Sequence, residues 1–117
     1  MILDPSKKED LETIKTAIRE DSDDDIGVQS AALAAIAYVK GAIGRGKPSF
    51  YAQENERIDL INLSIMLLTD HYYRAGSATV ESQNVNGTLR EYDLGFTSII
   101  LQLKAAYLQF EEGESND

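Results

Sequence analysis

The stretch at residues 57–74, RIDLINLSIMLLTDHYYR, constrains the fold more than any other part of the chain. Ile58, Ile61, Ile65, Leu68 and Tyr72 recur at steps of three and four, the spacing of one helix face. Leu60, Leu63, Met66 and Leu67 widen that stripe until little of the middle stays polar. A helix apolar over most of its circumference must be packed by neighbours on several sides. The segment is therefore the central helix of an all-α domain. It closes on Asp70-His71-Tyr72-Tyr73-Arg74 and then Ala75-Gly76, a cation and a glycine that suit a helix C-terminus.

The flanking segments supply the packing partners. Ser6 and Glu9 have capping-box spacing, with Pro5 before them. Leu11, Ile14 and Ile18 follow at helical steps, giving a short amphipathic helix over residues 7–19. It stops at the acidic residues 20–25, where Asp and Ser favour a turn. The same acids suit the N-terminus of a second helix over 25–43. In that helix Ile26, Leu33, Ile36, Val39 and Ile43 form the expected core stripe. Ala31, Ala32, Ala34, Ala35 and Ala37 allow close approach of other helices, and Gly44 stops it. Residues 45–49 are a loop by composition. Phe50 and Tyr51 are expected to pack back as an anchor or a short helical turn before the central helix, residues 55–74.

Residues 77–95 are the least helical part by pattern. Asn86-Gly87, between Val85 and Thr88, is a favoured two-residue hairpin turn. Val80, Val85, Leu89 and Tyr92 could line one side of a small hairpin or an ordered loop. Two strands alone are marginal, so contact with a partner would complete them. Phe96, Ile99, Ile100, Leu103, Tyr107 and Phe110 mark a last helix over 96–110, and residues 111–117 form an acidic tail expected to be disordered. The expected fold is an all-α bundle of about four helices. A long loop or small β-hairpin separates the last two, in one domain (residues 1–110) followed by the tail.

Bulk properties narrow the function. The chain has 117 residues, of which 43% are hydrophobic and 26% charged, enough for a core. It has no cysteine, which excludes disulfides, thiolate metal sites and cysteine nucleophiles. Net charge is −9, and the 11 basic residues are scattered. Tight nucleic-acid binding needs several phosphate-facing cations on one surface. No signal-peptide pattern is expected at Met1-Ile2-Leu3-Asp4-Pro5, and no run is expected to be long and charge-free enough to span a membrane.

Three chemical patterns are incomplete. Asp21-Ser22-Asp23-Asp24-Asp25 opens like a calcium loop, but Ile26 and Ala32 stand where that loop needs a glycine and a bidentate glutamate. Gly41, Gly46 and Lys47 have phosphate-loop spacing. Pro48 stands where magnesium contact needs Ser or Thr, and the motif closes a helix instead of opening one. His71 stands alone, without a second metal ligand, and Asp70 points away from it on a helix. Asn62-Leu63-Ser64 and Asn86-Gly87-Thr88 match the glycosylation triplet only. No nucleophile–base pair emerges, no cofactor is expected, and the expectation is a non-enzyme.

Two segments in order carry a resemblance. The first is Ile18-Arg19-Glu20-Asp21-Ser22-Asp23-Asp24-Asp25-Ile26 with the alanine-bearing helix through Tyr38-Val39 to Gly44. The second is the apolar helix ending His71-Tyr72-Tyr73-Arg74. With the closing helix through Tyr107, this arrangement resembles the phage head–tail connector (head-completion adaptor) family over nearly the whole chain. Arg74-Ala75-Gly76 shortens the family's pattern after the aromatics, and Tyr92-Asp93-Leu94-Gly95 replaces a loop that usually carries proline.

The resemblance implies a structural virion protein at the head–tail junction, assembled in the host cytoplasm. Such proteins form a homo-oligomeric ring beneath the portal protein, extend the DNA channel, help retain packaged DNA and receive the tail or stopper protein. DNA would pass through without specific binding, and no membrane is involved. The interface candidates under that reading are His71, Tyr72, Tyr73 and Arg74 at the end of the central helix, with Val80, Glu81, Asn86, Gly87, Leu89, Arg90 and Tyr92 in the following segment. Arg19, Asp21, Asp23 and Asp25 are expected to serve the helix ends. The alternative is a small acidic helical adaptor or regulator that binds another protein without forming a ring.

Overall fold

The computed structural model describes residues 1–21, 23–76 and 82–111, with residues 76 and 82–94 described as backbone. Four helices follow one another: α1 (Lys8–Ala17), α2 (Asp25–Ile43), α3 (Glu56–Gly76) and α4 (Ser82–Gln109), with a 3-10 turn at Pro48–Ala52 between α2 and α3. The all-α bundle expected from the sequence is what forms. Helix α3 is its centre. Ile58, Ile61, Ile65 and Leu68 are buried along the face set by their spacing. They pack with Val39 and Ile43 of α2, Phe50 and Tyr51 of the 3-10 turn, and Phe96, Leu103 and Tyr107 of α4. A second, smaller cluster joins Leu11, Ile14 and Ile18 of α1 to Val28 and Ala32 of α2, with Tyr73 of α3 at its edge.

Four local expectations are corrected. The hairpin placed at Asn86-Gly87 is absent, because α4 already begins at Ser82 and carries Asn86, Gly87, Leu89, Arg90 and Tyr92 in its backbone. The reason lies in the apolar spacing. Val85, Leu89, Tyr92, Phe96, Ile99 and Leu103 recur at alternating steps of four and three, one continuous helical seam that outweighs a single turn dipeptide. Val80 and Glu81 lie outside the described residues, as does the tail after Glu111.

The second correction concerns α2. Ile26 and Leu33 are 79% and 54% exposed, while the buried face is Val28, Ala31, Ala32, Ala35, Val39 and Ile43. Alanines let α2 come close to α3, so the small face turned inward and the bulky residues turned out. Third, α2 is long and apolar enough to cross a membrane by length and composition, contrary to expectation. Fourth, the Ser6–Glu9 capping box does not form. The N-cap is Lys7, without a side-chain cap. The Ser6 hydroxyl donates instead to Asp4 Oδ1 at 2.6 Å, a charged acceptor that competes better for it. The two Ser6 donors hold the Asp4 carboxyl below the usual carboxylate range.

The end of α2 is locked onto α4. Gly44 has φ 150° and ψ 150°, a region essentially reserved for glycine. A Cβ there would lie 2.3 Å from Tyr107 Cε1. The Tyr107 hydroxyl accepts from the Gly46 N–H at 2.6 Å, Lys47 Nζ donates to the Tyr107 carbonyl at 2.8 Å, and the Tyr51 hydroxyl donates to the Gly44 carbonyl at 2.5 Å. The glycines and lysine with phosphate-loop spacing thus serve a helix–helix joint.

Candidate functional site

The two segments that carry the family resemblance meet in space. The α1–α2 turn is built first by the end of α1. Arg19 has φ 58°, and the Arg19 and Glu20 N–H groups donate to the carbonyls of Thr16 and Lys15 at 3.1 and 2.8 Å. This is a Schellman stop with an arginine where glycine is usual. It turns the chain sharply and presents Glu20 toward α3. Asp24 then caps α2, its Oδ1 accepting from the Gly27 N–H at 3.1 Å. Gly27 is required by that cap, because a Cβ would sit 2.4 Å from Asp24 Oδ2.

The end of α3 completes the arrangement. The Tyr73 hydroxyl donates to the other Asp24 oxygen at 2.9 Å. Arg74 Nη1 meets Glu20 Oε1 at 3.0 Å, its Nη2 donates to the Ile18 carbonyl at 2.5 Å, and its Nε donates to Asp70 Oδ1 at 3.2 Å. The Arg74 guanidinium lies over the Tyr73 ring, 5.4 Å from its centroid. One arginine therefore takes up an α1 helix-end carbonyl, a turn carboxylate and a carboxylate one turn back, and it sits at the negative end of α3. The Glu20 hydrogen bond comes first among the contacts that raise the Arg74 pKa. On the far side of the turn Lys15 Nζ meets Asp25 Oδ1 at 2.7 Å, and that bond raises the Lys15 pKa.

Behind the clamp lies an open groove of about 640 Å³ lined by residues including Glu20, Ser30, Ala31, Tyr72 and Arg74. Tyr72 is half-buried, and burial is the main cause raising its phenol pKa. His71 is buried at 6% exposure, with the Tyr72 ring 6.0 Å away. Of the eleven interface candidates, the structure describes the side chains of four, His71 to Arg74. Three of them have a place: Tyr73 and Arg74 in the clamp, Tyr72 beside it. Glu20 and Asp24 were not among the sequence candidates. Only charge complementarity between two helix ends could have suggested them, and nothing in the spacing says which ends meet. Asn62, of the glycosylation triplet, accepts the Leu3 N–H at 2.9 Å and so serves the N-terminal strand of chain along α3.

Chemically the arrangement is a fastening. Its carboxylates face cations or helix N–H groups, and among the described residues no group of three or more His, Cys, Asp or Glu could hold a metal ion. Comparison with protein-family models, with curated proteins and with solved structures finds no match for the chain.

Proposed function

We propose that this chain is a structural phage virion protein that joins head to tail as an adaptor ring beneath the portal. In that role it extends the DNA channel, helps retain packaged DNA and offers its outer end to a tail or stopper protein, with no catalytic step. The observation that carries the reading is the clamp. The acidic turn and the Tyr73–Arg74 helix end, on whose order the resemblance rests, are held together by contacts 49 to 56 residues apart in sequence. A pairing of those two segments gives the resemblance a structural reason, because each needs the other to settle its charges. The acidic balance suits a wall along which DNA phosphates slide without being gripped.

Electron microscopy of a lysate from a phage lacking the gene tests the proposal. Packaged or leaking heads beside separate, complete tails are the expected result. Normal tailed particles would overturn it and leave the small helical adaptor that binds another protein without a ring.

A further inference from the structure

We propose that the outer face shared by α2 and α4 is an assembly surface, and that its occupant is a second copy of this chain presenting the acidic edge of α1 and the α1–α2 turn. The inference rests on the connector reading only for the closure of such contacts into a ring.

The surface is defined by what it exposes and by what it lacks. Helix α2 carries no charged residue from Ile26 to Val39. One face is buried, yet the opposite face leaves Ile26 79% and Leu33 54% exposed, with Tyr38 52% exposed at its margin. Helix α4 exposes Leu101 at 62% and Leu108 at 69%. The two helices lie side by side: the Tyr38 and Phe96 rings are 6.0 Å apart, and Tyr107 packs on Gly44. Over its 19 residues α2 offers a ridge about 28 Å long. A helix apolar all round is ordinarily covered all round.

The charges choose the occupant. The chain holds 20 acidic residues, yet none lies between Ile26 and Gln53 or between Leu94 and Phe110. The charges in those spans are all positive: Lys40, Arg45, Lys47 and Lys104. Residues 1–25, by contrast, carry nine acids against four cations, and Glu9, Asp21 and Asp23 among them are exposed. Two copies of the basic apolar face would repel at their cations. The same face against the acidic edge of a neighbour is complementary. That contact is heterologous, so each copy keeps one free face of each kind and the series closes only if its rotation allows. A lipid occupant fits less well. The inner side of α2 is the protein core, and an anionic bilayer repels a chain of net charge −9.

Sedimentation velocity of the full chain over a wide concentration range tests this, with Leu33→Glu and Leu101→Glu on one face and Asp21→Lys/Asp23→Lys on the other. All four positions are exposed, so the thermal midpoint should hold. The wild type is expected to self-associate, and each face variant to weaken association roughly tenfold or more. A mixture of Leu33→Glu with the double lysine variant should pair into dimers that grow no further, since each partner retains one working face. A wild type that stays monomeric, or face variants that associate as the wild type does, would overturn the inference. Self-assembly of the double lysine variant alone would do so too, by making the contact face-to-face. So would flotation of the wild type with phosphatidylglycerol vesicles that Leu33→Glu abolishes. An open ladder of sizes supports this surface and removes the ring. A monomeric wild type beside the head–tail defect described above removes this surface and keeps the connector.

Discussion

Replacing Gly44 by alanine isolates the α2–α4 joint. Two separate costs follow from the geometry. The backbone at φ 150° and ψ 150° belongs to a region where a side chain costs about 1–3 kcal/mol. The new methyl would also lie 2.3 and 2.4 Å from Cε1 and Cζ of Tyr107, and forcing an extra carbon into a packed site typically costs another ~1–3 kcal/mol. Together they predict a loss of roughly 2–6 kcal/mol, a large part of the ~5–15 kcal/mol that holds a small domain folded. Urea unfolding followed by circular dichroism should show the midpoint falling with an unchanged slope. The double variant Gly44→Ala/Tyr107→Ala separates the two costs. If the clash is real, the pair is less damaging than the sum of its members, by about 0.5–3 kcal/mol. A single variant within about 0.5 kcal/mol of wild type, the range of an inconsequential surface change, or a strictly additive pair, would refute the reasoning.

Gly95 gives the opposite sign: it is exposed inside α4 with nothing within 4 Å of an added Cβ, so Gly95→Ala should raise stability by about 0.5–1 kcal/mol, read from the same urea midpoint. Arg19→Gly should also stabilise, by about 0.5–1 kcal/mol, because φ 58° strains a side-chain-bearing residue. Arg74→Lys keeps the charge but loses the fork that reaches Glu20, Asp70 and the Ile18 carbonyl; since the group is half exposed, a loss of only about 1 kcal/mol is expected by thermal unfolding, and a neutral result would remove the clamp as an energetic feature. Burial first, and then the Tyr107 phenol, push the Tyr51 pKa up to about 12. The unfolded phenol ionises near its ordinary value of 10.0, so this contribution is intact below that pH and is lost as pH rises through the window up to the folded value. Tyr51→Phe should therefore flatten the alkaline fall in stability, as measured by unfolding midpoints on both sides of the window.

Much of this architecture was legible in residue spacing. The face of α3 defined by Ile58, Ile61, Ile65 and Leu68 is the buried one, and Phe96, Ile100, Leu103 and Tyr107 face the core as their steps require. Spacing misled where two signals competed. The Asn86-Gly87 dipeptide suggested a turn, but the surrounding seam is helical and α4 runs through it. In α2 almost every position is apolar, so hydrophobicity could not say which face turns inward. Close approach settled it in favour of the alanines. The clamp was legible only as two separate helix ends, because the pairing of Arg74 with Glu20 and of Tyr73 with Asp24 depends on how α1 and α2 are laid against α3. Glycine needs at 27 and 44 were similarly hidden, since both arise from a side chain, Asp24 or Tyr107, that folds over the backbone.

The division of the apolar interior into two unequal clusters has a dynamic consequence. Helix α1 contributes to the smaller cluster alone, through Leu11, Ile14 and Ile18, and is otherwise tied down by the polar contacts of Arg74 and Lys15. Proteins open in cooperative pieces, the least buried first. Amide exchange in α1 should therefore run ahead of exchange in α3, in a sub-global opening that leaves α2, α3 and the end of α4 packed. Such an excursion would bare Val28 and Ala32 and extend the charge-free skin of α2 around its circumference. The terminal helix is then a removable cover as well as a structural part.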